Sequence, residues 1–217
     1  MSDGESDPDW TARRERMVDH LISRGRIERE STERALRAVP RHEFVPEPRR
    51  GAAYEDRPLP IGEGQTISAP HMVAVMCDRL ELDAGERVLE VGTGCGYHAA
   101  VTAEIVGPGN VYTVEFHEDL AREADARLSR LGYDVDVRAG DGREGWPEAA
   151  PFDAAYLTCA APEFPRRVVE QVRPGGRLLA PLGDRRQVLV AAWKRADGSL
   201  DREEHGAVRF VPLLGDS

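Results

Sequence analysis

The sequence predicts an α/β protein: a doubly wound, mostly parallel seven-stranded sheet with an N-terminal helical extension. Three observations carry that reading. Short apolar runs alternate with helix-period segments from residue 87 to residue 183. A glycine-rich turn (Gly92, Gly94, Gly96) joins the first of those runs to a helix. Two more strand candidates, 187–194 and 207–214, end the chain with a turn at 196–198 and no helix between them, so that edge is antiparallel.

Residues 1–9 are acidic and nearly free of apolar side chains, which predicts a disordered tail. From residue 10 to 22, Trp10, Met17, Val18, Leu21 and Ile22 share one helical face, and Gly25 ends the helix. Ser31 reads as the cap of a short second helix that runs to Ala38 and stops at Pro40. Residues 40–70 hold six prolines and no clear period. Phe44, Val45, Tyr54, Leu59 and Ile61 argue that this stretch is packed, and long irregular segments in compact proteins are often functional. A helix is predicted over 69–80, with Met72, Val73, Val75, Met76 and Leu80 on its apolar side. Strands follow at 87–92, 111–116, 134–140, 152–158 and 175–183, with helices at 97–106, 117–132 and 164–172 between them.

Composition limits the function. The chain has 217 residues and a net charge of −10, which disfavours nucleic acid and anionic membranes as partners. There is no apolar run of about 18 residues to span a bilayer, and the polar, acidic start lacks a secretory pattern. A cytoplasmic monomer is the expectation. The basic side chains are 28 arginines and one lysine, Lys194. Low lysine with excess acid suggests a salt-loving or high-GC source. Cys77, Cys95 and Cys159 lie far apart and show no zinc spacing, so packed reduced thiols are expected and no metal.

The glycine turn points to a ligand. A dinucleotide fingerprint of the GxGxxG type would need glycine at 97, where Tyr97 stands. GxGxG preceded by an acid, Glu90, is instead the pattern of S-adenosylmethionine enzymes of the doubly wound class. That ligand carries a cationic sulfonium and a ribose but no pyrophosphate, so nearby carboxylates suit it. Glu115, 19 residues past Gly96, ends the next strand where an acid would hold ribose hydroxyls. Asp141 and Gly142 follow the third strand, where they would flank the adenine. All lie at the carboxyl edge of the sheet, the expected ligand edge. The predicted cofactor contacts are therefore Glu90, Gly92, Thr93, Gly94, Gly96, Glu115, Asp141 and Gly142.

Longer segments carry a family resemblance: RHEFVP (41–46), AYEDRPLPIGEGQTISAPHMVA (53–74), RVLEVGTGCGYHAA (87–100), GDGREGWPEAAPFDAAYLT (140–158), AAPEFP (160–165), RPGGRLLAPLG (173–183) and VRFVPLLG (208–215). With these the chain resembles the protein-L-isoaspartate O-methyltransferases over almost its whole length. The resemblance implies a Rossmann-like core at 81–217 that binds S-adenosylmethionine, and a helical extension with the substrate-side loop at 10–80. It implies methyl transfer to the free carboxylate of L-isoaspartyl residues in damaged proteins and peptides. It also makes Ser68 the active-site serine, with Thr66, Ile67, Ser68 and His71 on the substrate side. We read Ser68 as a positioning hydrogen-bonder, because an ionised carboxylate needs no activated hydroxyl. A serine at that point also fits a helix cap. Departures from the family pattern are Cys95, His98, Tyr156 and Cys159. Other readings compatible with the residues are a carboxyl methyltransferase with one dedicated partner protein, a non-catalytic binding domain, and a nicotinamide oxidoreductase.

Overall fold

The computed structural model describes residues 9–215. The tail predicted at 1–9 falls outside those residues except for Asp9. Its carboxylate accepts the Ala12 amide at 2.9 Å and so caps the first helix.

The extension begins with helices α1 (Trp10–Ser23) and α2 (Glu30–Ala38). Ser31 does not cap α2; Arg29 holds that position without a side-chain bond, and Ser31 lies inside the first turn. The proline-rich stretch is packed, as its apolar residues suggested. It forms two short 3-10 turns and a hairpin of β1 (Leu59–Gly62) and β2 (Gln65–Ile67). Leu59, Ile61 and Ile67 are the buried side chains of that hairpin. Helix α3 (Pro70–Leu80) follows, with proline in its first turn.

The main sheet has seven strands in the order β5-β4-β3-β6-β7-β8-β9. Strands β3 (Val88–Val91), β4 (Val111–Glu115), β5 (Val135–Ala139), β6 (Phe152–Leu157) and β7 (Val172–Leu182) pair in parallel. Strands β8 (Gln187–Lys194) and β9 (Leu200–Val208) pair antiparallel, as predicted for that edge. Helices α4 (Tyr97–Val106), α5 (Glu118–Leu131) and α6 (Arg166–Gln171) join the parallel strands. The predicted last strand, 207–214, is misplaced: β9 lies earlier, over a polar run, and residues 209–214 form a wall described below.

Period-two alternation divides the core into two layers. Val88, Ala154 and Tyr156 face the layer that includes α1 to α4, while Leu89, Val91, Ala155 and Leu157 face the opposite layer. The chain proceeds from β3 outward to β4 and β5, then returns to β6 on the other side of β3. The carboxyl ends of β3 and β6 therefore flank the crevice at which such sheets bind ligands. Among the described residues, no helix is long and apolar enough to cross a membrane.

Candidate active site

The turn after β3 is shaped by positive φ angles: +100° at Gly92, +55° at Gly94 and +86° at Gly96. Side chains rarely adopt such angles. Space also forbids one at Gly92, where a Cβ would lie 2.4 Å from Thr158 Oγ1. The Gly94 amide donates to Glu115 Oε2 at 2.8 Å, and the His117 amide donates to Glu115 Oε1 at 3.1 Å. Glu115, at the end of β4, thus holds the turn while still lining the cavity beside it. Gly142 lines the same cavity, and a Cβ there would be 2.4 Å from Val91 Cγ1.

Three cavities meet at this edge. The first is a cleft of about 500 Å³ between Gly92, Gly94, Glu115, Phe116, Gly142 and the segment 211–214. A small pocket of about 290 Å³ lies between Ser68, Thr93, Cys95, Tyr97 and His98. An open groove of about 1510 Å³ runs past Ser68, His71, Met72 and residues 207–212. Thr66 and Thr158 line all three.

The structure brings most of the predicted residues to these cavities. Thr66, Ile67, Ser68, His71, Gly92, Thr93, Gly94, Glu115 and Gly142 line them. Ser68 does not cap α3; Ala69 occupies the cap position without a side-chain bond. The Ser68 carbonyl accepts from Arg41 Nη2 at 2.8 Å. His71 is held by Asp56, 2.8 Å from its Nδ1.

Three predicted cofactor contacts lie elsewhere. Gly96 starts α4 and packs on Leu128. Asp141 accepts the Arg143 amide and pairs with the Arg143 guanidinium, beside the cleft wall that Gly142 forms. Glu90 is fully buried beneath the turn and lines none of the three cavities. Thr113 donates to its carboxyl at 2.6 Å and Tyr156 at 2.9 Å. Burial pushes the Glu90 pKa up to about 8, despite those donors. The network continues from Thr113 to Thr93 at 2.7 Å and from Tyr156 to Thr102 at 2.9 Å. Glu90 therefore supports the turn through Thr93 and does not face the cleft. Strand alternation carries the signal: Glu90 lies between Leu89 and Val91, on the face packed against α4.

Phe116, His117, Thr158 and residues 211–214 line the cleft but were not among the predicted contacts. The segment 209–214 is tied in by two bonds to Ala160: its amide donates to Val211 at 2.8 Å, and its carbonyl accepts from Leu213 at 2.7 Å. All three cysteines are buried free thiols, with Cys159 on the cleft and Cys95 on the small pocket.

Known proteins share this sequence and fold. The family model described as Protein-L-isoaspartate(D-aspartate) O-methyltransferase (PCMT) matches residues 12–217. A protein-L-isoaspartate O-methyltransferase 2 of Archaeoglobus fulgidus is 51% identical over 210 residues, 96% of this chain and 95% of the relative. A protein-L-isoaspartate O-methyltransferase of Methanopyrus kandleri is 50% identical over 98% of this chain and 96% of its own. A solved protein-L-isoaspartate O-methyltransferase superposes with a TM-score of 0.85 at 31% identity, covering 93% of this chain and 66% of that longer one. A putative enzyme of the same name from Plasmodium falciparum, solved with S-adenosyl-L-homocysteine, gives 0.82 at 26% identity, covering 94% of this chain and 99% of that one. With a family model that matches nearly its whole length and relatives half identical to it, the chain belongs to the protein-L-isoaspartate(D-aspartate) O-methyltransferase family.

Proposed function

We propose that this protein transfers a methyl group from S-adenosylmethionine to the free carboxylate of L-isoaspartyl residues in damaged proteins and peptides. The observation that carries the reading is the junction at Thr66 and Thr158, where the glycine-turn cleft meets the open groove beside Ser68. The cleft fits the cofactor. Glu115 offers a carboxylate suited to ribose hydroxyls, and Gly92, Gly94 and Gly142 line the cleft without side chains, so a ligand can approach their backbone closely. When bound, S-adenosylmethionine supplies a methyl group on a cationic sulfur.

The chain's own part is alignment. An isoaspartyl carboxylate has an ordinary pKa near 4 and is ionised at neutral pH, so no general base is required. What must be supplied is an in-line contact of roughly 3 Å between the attacking oxygen and the methyl carbon. We assign Ser68 and Thr66 to hold the carboxylate at the junction, with Ile67 and His71 shaping the groove. Gly92, Thr93, Gly94, Glu115 and Gly142 form the cofactor side, with Glu90, Gly96 and Asp141 supporting it. The groove is open to solvent beside Ser68, as a site for a peptide segment requires. After release, the ester departs as methanol when the neighbouring backbone nitrogen closes a succinimide, and hydrolysis of that ring yields some normal aspartate. We place residues 10–80 as the substrate-side cover and 81–217 as the cofactor-binding core. We place the protein in the cytoplasm as a monomer, and the net charge of −10 disfavours its binding to nucleic acid or anionic membrane.

The test is methyl transfer from labelled S-adenosylmethionine to two peptides that differ only in isoaspartate or aspartate at one position. Base-labile methanol from the isoaspartyl peptide alone is the expected result. Equal labelling of both peptides, or of neither while the cofactor still binds, would overturn the reading.

A further inference from the structure

Arg41 is buried completely and touches no carboxylate among the described residues. Its Nε donates to the Ala53 carbonyl at 2.7 Å and its Nη2 to the Ser68 carbonyl at 2.8 Å. Its guanidinium carbon lies 4.7 Å from the centre of the Tyr97 ring. Among the described residues, Nη1 and the Tyr97 hydroxyl have no hydrogen-bond partner beyond the contact of the two side chains with each other. Burial lowers the guanidinium pKa, but arginine starts far enough above neutrality to remain charged. A buried cation without an anion is costly, and proteins seldom hold one without a use.

The charge stands directly behind the small pocket. Ser68 and Tyr97, both in contact with Arg41, are two of its walls. The other ionisable groups near the guanidinium are Tyr97, Tyr54 and Cys95, and burial raises the pKa of each, so they stay neutral. Two more features of the pocket favour an anion. Its wall includes Tyr97 and His98, the first turn of the ten-residue helix α4. His98 is 6% exposed and its Nδ1 has no partner among the described residues; in the tautomer whose Nε2 accepts from Cys77 Sγ, 3.5 Å away, Nδ1 carries the proton and can donate to an anion.

We propose that Arg41 is a positioning residue: it clamps the Ser68 segment and lends the small pocket the positive potential that makes it a carboxylate site. Two carboxylates are available to the reaction, the amino-acid head of the cofactor and the isoaspartyl group of the substrate. The second of these rests on the function proposed above; the first does not.

The experiment uses Arg41→Met, which keeps the bulk and removes the charge, and Arg41→Lys, which restores the charge. Binding is measured with two ligand pairs. S-adenosylhomocysteine is compared with methylthioadenosine, which lacks the amino-acid head. An isoaspartyl peptide is compared with its isoasparagine twin, which lacks the anion. In one pair, Arg41→Met should weaken the carboxylate-bearing member about tenfold or more, leave the other within about twofold, and Arg41→Lys should recover part of the loss. The pair affected identifies the carboxylate. Equal losses within each pair would show a packing role only, and unchanged affinities would show no role; either overturns the proposal. Should Arg41→Met fail to fold, Arg41→Lys alone decides. A guanidinium that merely props the fold predicts equal weakening within both pairs for that variant too. If the isoaspartyl peptide does not bind the wild-type protein, the function proposed above fails and the cofactor pair still tests Arg41.

Discussion

At neutral pH the Glu90 carboxyl keeps its proton, because burial raises its pKa from 4.5 to about 8. The sign follows from linkage. Between pH 4.5 and 8 the unfolded chain has lost this proton and the folded chain retains it, so stability falls as pH rises through that window. Above about 8 the contribution is flat. Glu90→Gln cannot ionise and keeps an acceptor for Thr113 or Tyr156. Its urea midpoint should therefore vary less across that window than the wild-type midpoint does. A wild-type slope retained in the variant would place the titration on another group. Ser68 lies at the junction of groove and pocket, half-buried, with its carbonyl engaged by Arg41. Ser68→Ala should lower kcat/KM about tenfold through the lost hydroxyl while S-adenosylhomocysteine affinity stays within about twofold. Glu90 also shows where the sequence did not reveal a residue's surroundings. A carboxylate before a glycine turn suggests a ligand contact, yet strand alternation sends this one into the core beneath the turn. Arg41 opens the RHEFVP segment that carries part of the resemblance, but nothing in the sequence separates it from 27 other arginines as buried.

Continuous apolar runs with sharp ends were legible in the sequence. Helix α4 and strand β8 occupy the residues predicted, because each is an apolar run bounded by glycines or by charged residues. The hairpin β1–β2 was not, because its strands are four and three residues long and carry a proline. Its signal was the GEG turn, where Gly62, Glu63 and Gly64 all take positive φ. The final strand was misplaced for a physical reason. Strand β9 is an exposed edge and reads as polar, with LDREEH in its sequence. The apolar run after it, VRFVPLL, is apolar because it walls the cleft and groove. Ending the chain after Val208 should therefore leave the sheet's circular dichroism largely intact and abolish S-adenosylhomocysteine binding by calorimetry. The turn after β3 is less forgiving. Gly92→Ala meets Thr158 Oγ1 at 2.4 Å in a backbone region that disfavours side chains, and should cost about 1–3 kcal/mol of stability along with cofactor affinity. An alanine variant with wild-type midpoint and affinity would show that the turn can relax.

For the whole molecule, 39 acidic against 29 basic side chains leave a net charge of −10. Self-repulsion of this size is screened by salt, since the Debye length falls to about 3 Å at 1 M. The thermal midpoint should rise as sodium chloride increases from about 0.05 M to about 1 M. A falling or flat midpoint would show that specific ion pairs outweigh the net repulsion. The fold class was legible because it depends on the order of strands and helices. The shared walls were not, because they join residues far apart in the chain. Thr66 and Thr158 come from a hairpin and a strand end 92 positions apart, yet both border the cleft, the pocket and the groove. That juncture has a kinetic meaning. On the function proposed above, cofactor and peptide would take adjoining compartments and would not compete for one, so each could come and go while the other stays. Inhibition by the methylated peptide should then be competitive against the isoaspartyl peptide and noncompetitive against S-adenosylmethionine, the pattern of random-order turnover; ordered turnover with the cofactor first would make it noncompetitive against both.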